Sequence, residues 1–185
     1  MVEGWKWAII AISIATAGVA FGQQSTPMKE VAAESYEVYS SVLSEHYGSW
    51  FKEKDPPLIS SYTALEPQGH PGVGANCRER AKDVQVVQDL LGQLVSEKEK
   101  FQISSKLRLP GKYQMVKGKS HIRENQEPGI VFLSNVEFSP DRSKAIVLVG
   151  HSCGPLCGDG FVWILDKQGD HWSLAKDQLH CGWVR

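Results

Sequence analysis

The sequence predicts an α+β fold: two amphipathic helices packed on one antiparallel sheet of four to five strands with a C-terminal meander. In the first half of the chain, apolar residues recur at helical spacing. In the last third they alternate along short segments separated by turn residues. Because the helices precede the strands and do not alternate with them, this pattern favours α+β over a wound α/β fold.

The first predicted helix begins at Thr26-Pro27 and ends near Tyr47. Thr26 offers a capping hydroxyl, and proline suits the first helical position. Gly48 and the "KDPP" segment then break the helix. The aromatic residues around this helix end are predicted to anchor it in the core: Tyr47, Trp50, Phe51 and Tyr62. "LISSYT", residues 58–63, predicts a short strand.

The second predicted helix begins at Asn76, which can cap it together with Glu79 in a capping box. Its apolar stripe includes Val84, Val87 and Leu91, and the helix is predicted to end near "SEKEK". The Gly- and Pro-rich stretch before it, "EPQGHPGVGAN", predicts a loop. A strand is predicted around residues 113–116.

The last third of the chain predicts four strands joined by short loops. "GIVFLSNVEFSPDRSKAIVLVGHSC" and "GFVWILDKQGDHWSLA" each contain two apolar runs around a turn. Within each run, apolar side chains alternate on one face. This face consists of Phe132, Val136, Phe138, Ala145, Val147, Val149, Phe161, Trp163, Leu165, Trp172 and Leu174.

Residues 1–22 resemble a signal peptide, which leaves residues 23–185 as a single exported domain. Lys6 precedes an apolar run that is shorter than a membrane-spanning helix, and Ala20-Phe21-Gly22 has the small residues of a cleavage site. The predicted location is therefore periplasmic or secreted. An uncleaved N-terminal membrane anchor is the alternative.

The four cysteines are Cys77, Cys153, Cys157 and Cys181. An even number of cysteines in an oxidising compartment is most simply two disulfides. In the predicted meander, Cys153 and Cys157 lie in one connecting loop, which favours pairing them with each other. Cys77 at the second helix is then left for Cys181 near the chain end.

Two other interpretations of "CGPLC" carry less weight. Compared with the "CGPC" of thioredoxin-like proteins, its spacing is longer by one residue, and it lacks the following helix that lowers a redox cysteine's pKa. Zinc could in principle be surrounded by His151, Cys153, Cys157, His180 and Cys181. An oxidising compartment favours disulfides instead, so neither a metal nor a cofactor is predicted.

The chain resembles a family of exported bacterial proteins to which no activity is assigned. The resemblance lies in "YEVYSSVLSEHY", "LISSYT" and a C-terminal block that includes Ser134, Asp141 and the "CGPLCG" connection. It implies export and a helix-plus-hairpin architecture. Cys77 and Cys181 fall outside the shared pattern.

The formal net charge of −1 gives no global electric field that would attract nucleic acid. Contact with a membrane is predicted only if the N-terminal segment stays uncleaved. No nucleophile elbow, metalloprotease helix or phosphate loop occurs. We therefore predict a non-catalytic binding or envelope-associated domain for a protein, peptide or glycan. The candidate patch is His151, Asp159, Trp163 and His180. The alternative is a small hydrolase using His151, Asp159 and His180.

Overall fold

The structure is a computed structural model that describes residues 27–52, 56–64, 72–117, 129–154 and 157–184, with only the backbone described at 72–74. The predicted signal peptide, residues 1–22, lies outside these residues. The helices in the described part are α1 (Ser35–His46), a short 3-10 helix (Trp50–Lys52), α2 (Gly72–Arg80) and α3 (Gln85–Ser96). The strands are β1 (Leu58–Ser60), β2 (Gln114–Val116), β3 (Ile130–Leu133), β4 (Glu137–Phe138), β5 (Lys144–Gly154), β6 (Cys157–Gln168), β7 (His171–Leu174) and β8 (Gly182–Val184).

One mixed, curled sheet contains all eight strands of the described residues. Its spine is the long antiparallel hairpin of β5 and β6. Two short strands pair with the free edge of each spine strand: β3 and β4 with β5, and β7 and β8 with β6. β1 extends the sheet beyond β3, and it runs parallel to both β3 and β2.

The predicted fold class is wrong: the described part of the chain is mostly one mixed sheet of eight strands with three short α-helices, not two helices on four to five antiparallel strands. The helices also do not share one face of this sheet. Along β5, Val147 belongs to the apolar cluster under α1, whereas Ile146 belongs to a second cluster under α2 and α3. Both faces of the spine are therefore buried, and we call them the α1 face and the α3 face. The predicted sheet had apolar residues on one face of each strand only, so no helical layer was expected on the other face.

The first helix starts later than predicted. The backbone before α1 is extended, and the amide of Val31 donates to the carbonyl of Gln102 at 3.0 Å. Glu34 then fixes the helix start, since its carboxylate accepts hydrogen bonds from Lys167 at 2.7 Å and Arg142 at 2.8 Å. A tertiary contact, and not the local capping signal at Thr26-Pro27, thus decides where the helix begins. Thr26 itself lies outside the described residues.

The second predicted helix is two helices. α2 already begins at Gly72, so the expected loop is wrong from that residue, while residues 65–71 lie outside the described part. Asn76 is inside α2 and accepts a hydrogen bond from Arg80, so it does not cap a helix. The chain turns at residues 81–84 before α3 begins. The predicted strand near residues 113–116 corresponds to β2.

Cys77 of α2 and Cys181 beside β8 form a disulfide with a Cα–Cα distance of 5.3 Å. Both residues are buried in the apolar cluster on the α3 face. The bond joins segments 104 residues apart, and it ties the end of the chain to the helical layer. None of the helices described combines the length and apolar composition needed to cross a bilayer.

Candidate ligand-binding site

The β5–β6 hairpin places three residue pairs side by side on the α1 face. His151 is directly opposite Asp159, Val149 opposite Phe161, and Val147 opposite Trp163. Val147 and Val149 belong to the apolar cluster under α1, and side chains alternate along a strand. His151, Asp159, Phe161 and Trp163 therefore point to the same side of the sheet as α1.

The C-terminal end of α1 lies over these pairs and supplies three more rings. His46 contacts Trp163 with ring centroids 4.3 Å apart and Tyr47 at 4.6 Å. Trp50 continues the series, 4.8 Å from Tyr47 on one side and 4.8 Å from His151 on the other. His151 is also paired with Asp159 of β6, and Asp159, Phe161 and Trp163 follow one another on the same face of that strand. We call this closed set the hairpin cluster: His46, Tyr47, Trp50, His151, Asp159, Phe161 and Trp163.

The hairpin cluster is anchored in the core and open to solvent along one side. Tyr47 and His151 are buried, with exposed fractions of 4% and 8%. His46 is exposed, while Trp50, Asp159, Phe161 and Trp163 are half-buried. A ligand could therefore reach the exposed parts of these rings without unfolding the site, whereas Oδ1 of Asp159 lies beneath the surface.

Three polar atoms of the cluster are buried and have no hydrogen-bond partner in the described part of the chain. They are the hydroxyl oxygen of Tyr47, Oδ1 of Asp159 and Nε1 of Trp163. An unsatisfied buried donor or acceptor typically costs about 1–3 kcal/mol, so most folded proteins satisfy such groups. Three in one cluster mark a place where polar atoms of a ligand would be stabilising.

The negative charge of Asp159 acts on its neighbours. Burial raises the pKa of the Tyr47 hydroxyl, and the nearby Asp159 carboxylate raises it further, so this hydroxyl stays protonated. The pKa of His46 is lowered, because its packing removes part of the ring from water; Asp159 opposes this effect only in part. His46 is therefore a neutral imidazole at pH 7.

Two features near the end of the hairpin define the position of His151. Cys153 and Cys157 form a disulfide across the hairpin, with Cα atoms 5.2 Å apart. Gly129 has a φ of 77° and packs against His151: a β-carbon at this position would lie 2.7 Å from His151 Nε2. Only a glycine fits both this backbone conformation and this close approach.

The α3 face beneath the cluster is covered by one indole. Trp183 of β8 lies across Gly150 and Gly160, where an added β-carbon would be 3.5 Å and 2.5 Å, respectively, from its ring atoms. Gly150 and Gly160 form a direct cross-strand pair. The two glycines thus make room for Trp183 behind the site, while their neighbours His151 and Asp159 face α1.

The structure brings together three of the four residues of the predicted patch. His151, Asp159 and Trp163 belong to the hairpin cluster, but His180 does not. His180 is exposed, has a φ of 48°, and lines a separate cavity of about 600 Å³ with Arg80 and Lys176 on the α3 side. The three groups of the hydrolase hypothesis, His151, Asp159 and His180, therefore do not converge.

The predicted patch does not contain His46, Tyr47 or Trp50. Tyr47 and Phe51 are buried in the core, as expected for anchors of the helix end. Trp50 is only half-buried and contacts His151, which makes it part of the site as well. The sequence signal for these residues was the aromatic "HYGSW" at a helix end, but their meeting with β5 and β6 depends on the tertiary fold.

The cysteine chemistry of the site is that of disulfides. In the structure all four cysteines are paired, Cys77 with Cys181 and Cys153 with Cys157, which are the pairs that the sequence favours. A disulfide sulfur offers zinc no thiolate. Among the described residues, no group of three or more His, Cys, Asp and Glu side chains is arranged to hold a metal ion.

No protein-family model, curated protein or solved structure matches this chain. The resemblance to exported bacterial proteins therefore stays a prediction from the quoted residues.

Proposed function

We propose that the protein is an exported, disulfide-stabilised binding domain of the periplasm or the secreted fraction, and that its ligand occupies the hairpin cluster. The observation that carries this proposal is the set of three buried, unpartnered polar atoms, on Tyr47, Asp159 and Trp163, among partly exposed rings. Convergent polar groups within an aromatic surface are typical of ligand sites.

The two disulfides support the location. Disulfides form and persist in oxidising compartments, and the predicted signal peptide would deliver the chain to one. The short Cys153–Cys157 bond also stiffens the end of the hairpin that presents His151 and Asp159. A rigid site loses less conformational entropy when its ligand binds, which favours affinity.

The experiment is a ligand survey by ¹H–¹⁵N correlation NMR on oxidised protein purified from an exporting host. Three probe classes are titrated separately: choline, methyl glycosides and short blocked peptides. We expect at least one class to shift the indole N–H resonances of Trp50 and Trp163 and the amide of Asp159. The resonances of His180 and Lys176, on the α3 side, serve as the internal reference.

A pair of variants tests whether the shifts report on the site. His46→Ala removes an exposed ring that touches Trp163, and we expect it to weaken binding by about threefold or more. His180→Ala removes an exposed imidazole outside the cluster and should leave binding unchanged. If no probe class affects the cluster, or if both variants weaken binding equally, the proposed function is wrong.

A further inference from the structure

We infer that the cavity on the α3 face is a second binding site, which takes a small carboxylate whose apolar part lies against Val84. The cavity has a volume of about 600 Å³, within the roughly 300–1,000 Å³ typical of small-molecule sites. It lies on the other side of the sheet from the hairpin cluster, so the inference goes beyond the proposed function and does not depend on it. It is carried by a fixed loop, a positioned arginine and an exposed valine.

The loop between β7 and β8 forms one wall of the cavity and is fixed to the edge of β6. At its start, the amide of Ala175 donates to the carbonyl of Ile164 at 2.9 Å, and at its end the carbonyl of Cys181 accepts from the amide of Val162 at 3.0 Å. Between these points, the side-chain amide of Gln178 bonds the backbone of Ile164 in both directions, at 2.8 Å and 3.1 Å. The wall is therefore formed before a ligand arrives, which lowers the entropic cost of binding.

Arg80, the last residue of α2, lines the cavity with a guanidinium that is held in position. Its Nε atom donates to Asn76 Oδ1 at 3.1 Å, and its Nη1 atom donates to the carbonyl of Leu179 at 3.3 Å. These two bonds leave N–H groups on Nη1 and Nη2 without a partner among the described residues. A planar guanidinium can present such groups to both oxygens of a carboxylate, and this match favours that anion.

The charges along the cavity also favour an anion. Lys144 and Asp166 form an ion pair with each other. Of the other charged groups in the lining, Arg80 and Lys176 are cationic and Asp177 is acidic, and none of them belongs to an ion pair of the described residues. The lining therefore has an excess of positive charge before any histidine is protonated. A singly charged carboxylate neutralises an excess of this size.

Val84 provides apolar surface at the wall of the cavity. It is 43% exposed and occupies the N-cap position of α3, which has no side-chain cap. Serine, threonine, aspartate and asparagine are favoured at an N-cap, because they accept a hydrogen bond from the first backbone N–H groups of the helix. An exposed valine gives up this stabilisation, which is typical of a residue with a functional role. Buried Val87 continues the apolar surface into the cavity.

Hexanoate and hexanamide test the charge, because the two have nearly the same size and only hexanoate is charged. We expect hexanoate to bind the oxidised protein at least about fivefold more tightly than hexanamide, and about threefold more tightly than acetate. NMR shifts of Arg80 Nε–H and of the amides of Lys176 and Leu179 measure the affinities. Equal affinities for hexanoate and hexanamide, or no shift at Arg80, would overturn the inference. This comparison uses the unaltered chain.

The indole N–H resonances of Trp50 and Trp163 are the internal reference in these titrations and should not shift. If hexanoate shifts them and leaves Arg80 unaffected, the carboxylate belongs to the hairpin cluster, and the inference is wrong while the proposed function stands. If choline, glycosides and peptides leave the hairpin cluster unaffected but hexanoate shifts Arg80, the proposed function fails and the site on the α3 face stands.

Arg80→Gln removes the guanidinium, and Arg78→Gln is the matched control, because Arg78 is an exposed arginine of α2 that does not line the cavity. We expect the first variant to weaken hexanoate binding at least about fivefold with hexanamide binding unchanged, and the second to change neither. Equal effects of the two variants would contradict the role of Arg80. Asp177→Asn should instead strengthen hexanoate binding about twofold, since it removes a negative charge from the lining; weaker binding would contradict the charge argument.

Val84→Ser tests the apolar part of the ligand without weakening the fold, because serine can cap α3. We expect the unfolding temperature to stay the same or rise, hexanoate to bind about threefold more weakly, and acetate to bind as before. Unchanged hexanoate affinity would show that the ligand does not lie against Val84 and would overturn that part of the inference.

Discussion

His151 and Asp159 are directly opposed across the β5–β6 hairpin, and both side chains face α1. Their neighbours Gly150 and Gly160 are opposed in the same way and face Trp183. Because side chains alternate along a strand, a shift in pairing by one residue would move Asp159 to the side of Trp183. The register of this hairpin therefore creates the candidate site.

Gly129→Ala should disturb the site through His151. The change forces an alanine into a left-handed conformation, at a cost of about 1–2 kcal/mol, and places a methyl group 2.5 Å from the Ser152 carbonyl oxygen and 2.7 Å from His151 Nε2. We expect a total loss of about 2–4 kcal/mol in the free energy of unfolding, together with a shift of the His151 ring resonances. Urea denaturation and NMR measure the two effects.

Gly169→Ala is the control for this prediction. Gly169 also has a left-handed backbone, with φ of 61°, but no atom lies within 4 Å of the place its β-carbon would take. It should therefore show the backbone cost alone and leave His151 unaffected. Equal losses for the two alanine variants would mean that the close contacts of Gly129 with Ser152 and His151 are unimportant, and unshifted His151 ring resonances would show that His151 is not affected.

The two disulfides should differ in their contribution to stability. Replacing Cys77 and Cys181 by alanine opens a link across 104 residues, whereas replacing Cys153 and Cys157 opens one across 4. From loop entropy in the unfolded chain, we expect losses of about 4–5 kcal/mol and about 2 kcal/mol, respectively. Urea denaturation of both double variants checks the order, and a larger loss for the short bond would contradict it.

Glu30 should make the protein less stable in acid. Its carboxylate accepts hydrogen bonds from Ser104, Tyr36 and Lys106, and these lower its pKa from 4.5 to about 2. Because the pKa is lower in the folded state, the stabilisation is fully present above pH 4.5 and is lost as the pH falls toward 2. Unfolding temperatures measured from pH 7 to pH 2 should show this loss.

Glu30→Gln should make the unfolding temperature depend less on pH between pH 4.5 and pH 2. We expect the variant to be less stable than the unaltered protein at pH 7 and to approach it near pH 2, since both then lack the charge. Glu37→Gln, at an exposed position on α1, is the control and should keep the slope. If Glu30→Gln instead lowers the unfolding temperature by the same amount at every pH, the charge of Glu30 does not cause the loss of stability in acid.

Local pattern was enough to predict four of the six strands in the C-terminal third, namely β3, β5, β6 and β7. The alternation from Ala145 to Val149 and from Phe161 to Leu165 lies within single strands, and the turns between the strands are short. The same local arrangement put Cys153 next to Cys157. It also placed His151, Asp159 and Trp163 in one patch, although His180, close to Cys181 in sequence, lies elsewhere.

The second layer and the extra strands could not be predicted in this way. Ile146 and Leu148 are apolar like their neighbours, and nothing within β5 shows that α2 and α3 cover them while α1 covers Val147. β8 consists of three residues, Gly182–Val184, and pairs with β6 only because the chain returns to Phe161. Such short strands have no periodicity that can be detected.

The sequence by itself determined the long hairpin, the alternation of its faces and the Cys153–Cys157 pair, because these depend on residues close together in the chain. The pairing of Cys77 with Cys181, 104 residues apart, followed only as the remaining pair. Only the tertiary structure decided which face each helix covers and which side chains close the hairpin cluster. His46, Tyr47 and Trp50 are about a hundred residues from His151 and Asp159 in the printed sequence. Their contact follows from the packing of α1 across a sheet that is buried on both sides.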